Sequence, residues 1–166
     1  GTSYFNGQID DLRIYDYART QAQIAWDYNK GAPIAHWKFD DASSGSADAT
    51  MILDSSGNGN PGTGVDGGTD AGLEFVAGIS GNAIEFDGTD DYVNAGDDPS
   101  LDISGDITLS LWVNPNSYAS EPDLLTNGNF DESYSIHIEM GAAKVAFRLN
   151  DYRFDSNSSL NIGQWA

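Results

Sequence analysis

A chain of 166 residues can bury a sizeable core and favours one domain over two. Its 26 acidic residues against 7 basic ones give a formal charge of -19, which repels phosphate backbones and anionic lipid head groups, so neither nucleic acid nor membrane insertion is expected. The absence of cysteine excludes disulfides and thiolate metal sites, and no apolar run approaches the roughly 20 residues of a membrane span. The acids fall in Gly/Ser/Asn-rich stretches instead of helical runs. That placement suits divalent cations better than a solvated charged helix, with solubility or salt adaptation as the other reading.

In chain order, residues 9–15 alternate as a strand, with Leu12 and Ile14 on one face and Asp11, Arg13 and Tyr15 on the other. Thr20 and Gln23 have the capping-box spacing and predict a short helix from Ile24 to Tyr28, stopped at Gly31. A strand, a small helix and a stop read as a domain terminus, and Gly31-Ala32-Pro33 reads as a joint. Residues 34–39 then predict a new strand carrying Trp37 and Phe39, and residues 40–49 a loop.

Residues 54–62 hold three Gly, a Pro and several turn-formers, so they predict a shaped loop, and residues 65–78 continue as irregular, Gly-rich sequence. Ile84 and Phe86 alternate with Ala83, Glu85 and Asp87, then Asp87 to Asp90 supplies a turn before Tyr92-Val93. This predicts a tight acidic hairpin at the centre of an antiparallel sheet. Residues 107–113, 123–126, 134–140 and 144–149 are further short β-prone runs between turns, the spacing of an all-β sandwich, and Trp165-Ala166 looks like the entry to one more strand.

Within seven residues the 54–60 loop offers the Asp54 carboxylate, the Asn58 and Asn60 amides and glycine carbonyls such as that of Gly57, the hard-oxygen set calcium prefers; it is also a good turn sequence. Asp87, Asp90 and Asp91 suggest a second acidic site, although a β-turn accounts for them without an ion. Glu85 and Asp87 share a strand face, but Gly88 ends the strand before a further acid arrives, which argues against a glycosidase centre. His137 and Glu139 also share a face and read first as a cross-strand polar contact. No nucleophile elbow or phosphate loop is present. Trp37, Trp112 and Trp165 read as core or sheet-face residues, while Tyr118, Tyr134, Tyr152 and Phe154 lie nearer to turns, where a ring can stack on a sugar.

Five ordered stretches, Trp37 to Asp41, Asp54 to Asn60, Gly81 to Val93, Thr108 to Val113 and Gly163 to Trp165, together resemble the bacterial laminin G-like domain. The resemblance implies a concanavalin A-like fold: all-β, a two-sheet antiparallel jelly-roll sandwich, here with one short helix near the N-terminus. Tyr4 to Asn29 resembles the closing segment of the same domain yet comes first, as in a window cut from a tandem array. Residues 1–31 would then be the closing strand and helix of a previous copy, or fold back as a circular permutant. Residues 32–166 would be a laminin G-like domain lacking its last strands. The resemblance also implies a structural calcium between the early loop and the last strand, with Asp11 and Asp40 as extra carboxylates. By the same token it implies a noncatalytic, extracellular or cell-surface repeat module that binds glycan or a cell-surface protein and adjoins neighbouring laminin G-like repeats. The alternatives are a purely structural spacer repeat and, more weakly, a glycoside hydrolase of the same fold.

Overall fold

The computed structural model describes residues 14–23, 31–68, 72–117, 122–128, 134–139, 142–150 and 152–166. The chain divides into two compact units, Gly1–Pro33 and Ile34–Ala166. In the first, Gln23 N–H donates to Thr20 Oγ1 at 3.3 Å and Thr20 N–H donates to Gln23 Oε1 at 2.9 Å, the reciprocal capping box expected from the spacing. A helical turn follows at 21–23. The expected strand at 9–13 and the rest of the helix lie outside the described residues. Tyr15 packs edge-on to Tyr17, with Arg19 over the Tyr15 ring at 4.3 Å.

Among its described residues the second unit holds β-strands and one 3-10 turn, Pro99–Leu101, which is capped by Asp98 accepting from Ser100 N–H. Its strands are β1 (Gly45–Ser46), β2 (Met51–Ile52), β3 (Gly62–Val65), β4 (Glu74–Ala77), β5 (Asn82–Glu85), β6 (Tyr92–Asn94), β7 (Asp123–Asn127), β8 (Tyr134–Ile138), β9 (Lys144–Leu149) and β10 (Tyr152–Ser159). All pair antiparallel, in the orders β1-β4-β5, β2-β3-β6 and β10-β9-β8-β7, which establishes the all-β class expected from the sequence.

The central hairpin is a correction. β5 pairs with β4 and β6 pairs with β3, so residues 86–91 cross between two sheets instead of turning back within one. Side chains decide this: Phe75 on β4 stands opposite Ile84, and both pack with Ala47, Ile52 and Leu73, while Val93 stands opposite Gly64. A Cβ on Gly64 would collide with the Ala47 carbonyl, and one on Gly62 would meet Val93 Cγ1 at 2.7 Å. These glycines let the sheets close over the core. Ile84 reaches that core, but Phe86 remains exposed.

Other expectations shift as well. Residues 74–77, read as irregular, form β4, and β10 was not anticipated. The 34–39 stretch makes one bridge, Trp37 to Asp54, and Phe39 has φ of 60°, which breaks an extended run. Residues 107–113 keep a partly alternating burial but carry no strand in the described structure; Val113 and Ala166 exchange backbone hydrogen bonds at 3.0 and 3.1 Å. Ile107, Leu109 and Leu111 face Ile136, Val145 and Phe147 of the four-stranded sheet across an apolar groove of about 520 Å³.

Candidate metal centre

The 54–60 loop is organised around one carboxylate. Asp54 Oδ1 accepts from the backbone N–H groups of His36 and Ser56 at 2.9 and 2.8 Å, and Oδ2 from the Ser56 hydroxyl and Asn60 N–H at 2.7 and 3.0 Å. Burial pushes the Asp54 carboxyl up, but the N–H groups of Asn60 and Ser56, the Ser56 hydroxyl and His36 N–H together outweigh it and hold the group down at about 2. A carboxylate offers about four lone-pair sites, and these contacts occupy all of them.

The neighbouring side chains converge on a single backbone oxygen. Ser56 Oγ, Asn58 Nδ2 and Asn60 Nδ2 lie 3.0, 2.9 and 3.2 Å from the Ile34 carbonyl. Asn60, almost wholly buried, also bonds Ser100 Oγ at 3.0 Å, and its own carbonyl receives the Trp37 indole N–H at 2.8 Å. Gly57 supplies the φ of 87° that the turn requires. The structure thus brings Asp54, Asn58 and Asn60 together as the sequence suggested, with amide nitrogens facing inward. A cation at this spot would need both amides turned about to present oxygen.

Asp40 is engaged elsewhere. Its Oδ1 accepts from Asn82 N–H at 2.8 Å beside Gly81, and among the described residues no hydrogen bond joins it to the Asp54 network. Asp11 lies outside the described residues.

Three other carboxylates do converge. Asp66, Asp90 and Asp91 each place an oxygen within 4.8 Å of the other two. The β3–β6 register explains this, because Val65 stands opposite Tyr92, and the next residue on either side is Asp66 and Asp91. Asp91 Oδ2 accepts from Asp87 N–H at 2.9 Å, whereas Asp91 Oδ1 is buried and has no hydrogen-bond partner among the described residues. The carboxylate lies over the backbone of Gly72, where an added Cβ would come within 2.6 Å of Oδ2, and Gly67 makes similar room for Asp90. Of the acids singled out in the crossover, Asp90 and Asp91 therefore share a cluster, while Asp87 caps its own turn by accepting from Thr89 N–H at 2.7 Å. Asp66 was missed because it sits in a stretch read as irregular. The signal that finds it is strand register, not spacing along the chain.

This donor set fits a hard divalent cation. Three carboxylate oxygens within 4.8 Å of one another are close enough to share one ion at the 2.3–2.6 Å bond lengths of calcium, and the buried Asp91 oxygen without a donor among the described residues is a fitting ligand for it.

The remaining sequence candidates have structural occupations. Glu85 accepts from Asn116 Nδ2 at 3.2 Å. Glu139 is ion-paired with Arg153, and His137 is buried in β8. Tyr134 is buried with its hydroxyl donating to the Leu101 carbonyl at 2.9 Å, Trp112, Tyr152 and Phe154 are exposed, and Tyr118 lies outside the described residues. Among the described residues no helix is long and apolar enough to cross a membrane.

Comparison with curated proteins and with solved structures finds no match. Comparison with protein families finds one: residues 87–166 match the third laminin G family model, described as the Concanavalin A-like lectin/glucanases superfamily. The match begins at the crossover that carries Asp90 and Asp91 and runs through β6–β10. Over residues 87–166, just under half of the chain, the sequence is thus similar to a laminin G family of the concanavalin A-like superfamily.

Proposed function

We propose that the chain is a noncatalytic, calcium-stabilised laminin G-like module of a secreted or cell-surface protein, acting in adhesion or in binding of carbohydrate or protein. The observation that carries the calcium reading is the buried, unpartnered Asp91 Oδ1 among three clustered carboxylates. Asp66, Asp90 and Asp91 would hold the ion, which would neutralise their mutual repulsion and tie β3, β6 and the sheet crossover together. The loop set of Asp54, Gly57, Asn58 and Asn60 is the alternative place for it, reached only by turning the two amides. The noncatalytic reading is supported by the occupations of Glu85 and Glu139, which are held by the Asn116 amide and the Arg153 guanidinium.

A calcium titration followed by thermal unfolding tests the reading. At one hundred times the dissociation constant an ion bound only by the folded state adds about 2.7 kcal/mol, enough to raise the unfolding temperature by several degrees. Asp91→Asn should abolish that rise, and a rise that survives in Asp91→Asn but is lost in Asn58→Ala would move the ion to the loop. No rise in the parent chain would overturn the calcium reading. Binding to an immobilised glycan panel, or its absence, separates a recognition module from a spacer repeat.

A further inference from the structure

β10 is an outer strand, paired with β9 alone among the described strands, and every residue of it except Ser156 is exposed. Tyr152 and Phe154 are 70% and 58% exposed. Phe154 stands opposite Phe147 and stacks on it at 6.2 Å, so these rings continue the apolar face of the sheet out to its edge. Arg153 and Asp155 occupy the other face, bonded to each other at 2.7 Å. The pairing of β10 with β9 is regular from Tyr152 to Asp155 and shifts only beyond it. A regular, open edge flanked by exposed aromatic rings is a template for another strand.

The sequence of that edge selects the strand. Laid antiparallel against a second copy about Phe154, Arg153 stands opposite Asp155 of the second copy, and the same pair recurs by symmetry. Phe154 meets its own counterpart, and Tyr152 meets Ser156. A two-fold contact demands this self-complementarity. Slipping the register by one residue sets the apolar row against the polar one. Slipping it by two in either direction sets Arg153 opposite Arg153 or Asp155 opposite Asp155, which is repulsive. We infer that β10 is an interface between two copies of this chain, pairing antiparallel about Phe154. With few residues on each side and a charge of -19 on each copy, the association is weak and concentration-dependent.

The chain has no cysteine, so single cysteines report the contact cleanly. Sedimentation equilibrium up to about 1 mM chain should show dimers, since 1 mM corresponds to the weakest useful affinity. Under mild oxidation, Phe154→Cys should cross-link about tenfold faster than Tyr152→Cys alone, because only residue 154 faces itself. Asp155→Lys and Arg153→Asp should each weaken self-association about tenfold, and mixing the two variants should restore it, because each then presents the charge the other lacks. A variant that merely misfolded would not be rescued by mixing, and circular dichroism of each variant checks its fold. A monomer across the whole concentration range, equal cross-linking at 152 and 154, or a mixture no tighter than its components would each overturn the inference.

Discussion

Two acidic regions of the same unit meet the cost of burying carboxylate in opposite ways. Asp54 is surrounded by protein donors until its four acceptor sites are filled, and it serves as the hub that shapes a loop. Asp66, Asp90 and Asp91 face one another instead, and Asp91 leaves a buried oxygen with no donor among the described residues. Oxygen-rich sequence marks both regions alike. What separates them is where the backbone N–H groups point: toward the carboxylate in the first case, so that the protein supplies the positive end of each dipole, and away from Asp91 Oδ1 in the second.

The largest expected effect breaks the first region. Asp54→Ala strips four donors of their acceptor and loosens the turn that carries Asn60 and the Trp37 contact, so urea denaturation should show a loss of about 3 kcal/mol, with or without calcium. Acid makes the same break reversibly. Because the folded carboxyl titrates at about 2, below its ordinary 3.8, the stability it contributes is complete above about pH 4 and lost as pH falls through about 2. Thermal unfolding of Asp54→Ala against the parent between pH 5 and pH 2 should therefore show the difference between them shrinking toward zero. A difference independent of pH would mean that the side chain acts by packing and not by its charge.

The difference between the regions also explains what was legible in the sequence. The 54–60 loop declared itself because its partners are local: Asp54 bonds Ser56 and Asn60 within six positions, and Gly57 has to be glycine for its φ. The short strands β7, β8 and β9 were legible from turn spacing and β-prone composition. The acid cluster was half hidden because Asp66 reaches Asp91 only through the β3–β6 ladder, and nothing in residues 86–91 says that the chain crosses to another sheet. Local pattern fixes which residues alternate; partner choice depends on which cross-strand pairs fill the core, Phe75 with Ile84 and Val93 with Gly64, and that is a property of distant segments taken together. β10 was obscured for the same reason, since Ser and Asn dominate its second half and only pairing to β9 makes it a strand.

A milder variant sharpens the comparison by separating the ion from the fold. In Gly72→Ala the new methyl meets the Asp91 carboxylate, the far end of a side chain that can swing aside, so the cost should be no more than about 1–2 kcal/mol without calcium. The displaced carboxylate then no longer joins Asp66 and Asp90, and the calcium-dependent rise in unfolding temperature should vanish. Isothermal titration with calcium checks the same point directly. Retention of the parent's calcium response in a folded Gly72→Ala chain would show that the ion sits elsewhere.

The smallest effect is the most diagnostic because its sign reverses. In chelator the three clustered carboxylates repel one another with no cation between them, so Asp91→Asn, which removes one charge and keeps the shape, should leave stability unchanged or raise it by about 0.5 kcal/mol. With its nitrogen in the place of Oδ1, the Asn amide faces the Asp66 and Asp90 carboxylates as a donor instead of as a third like charge. In saturating calcium the same variant should be the less stable one, because the parent then gains the ion's binding energy and the variant gains little. Asp54→Asn has no such crossover: the amide nitrogen would confront N–H groups already aimed at the carboxylate, so it should destabilise the chain in both conditions. Matched denaturation curves of the two variants in chelator and in calcium decide the matter, and a crossover at Asp54 with none at Asp91 would exchange the roles of the two regions.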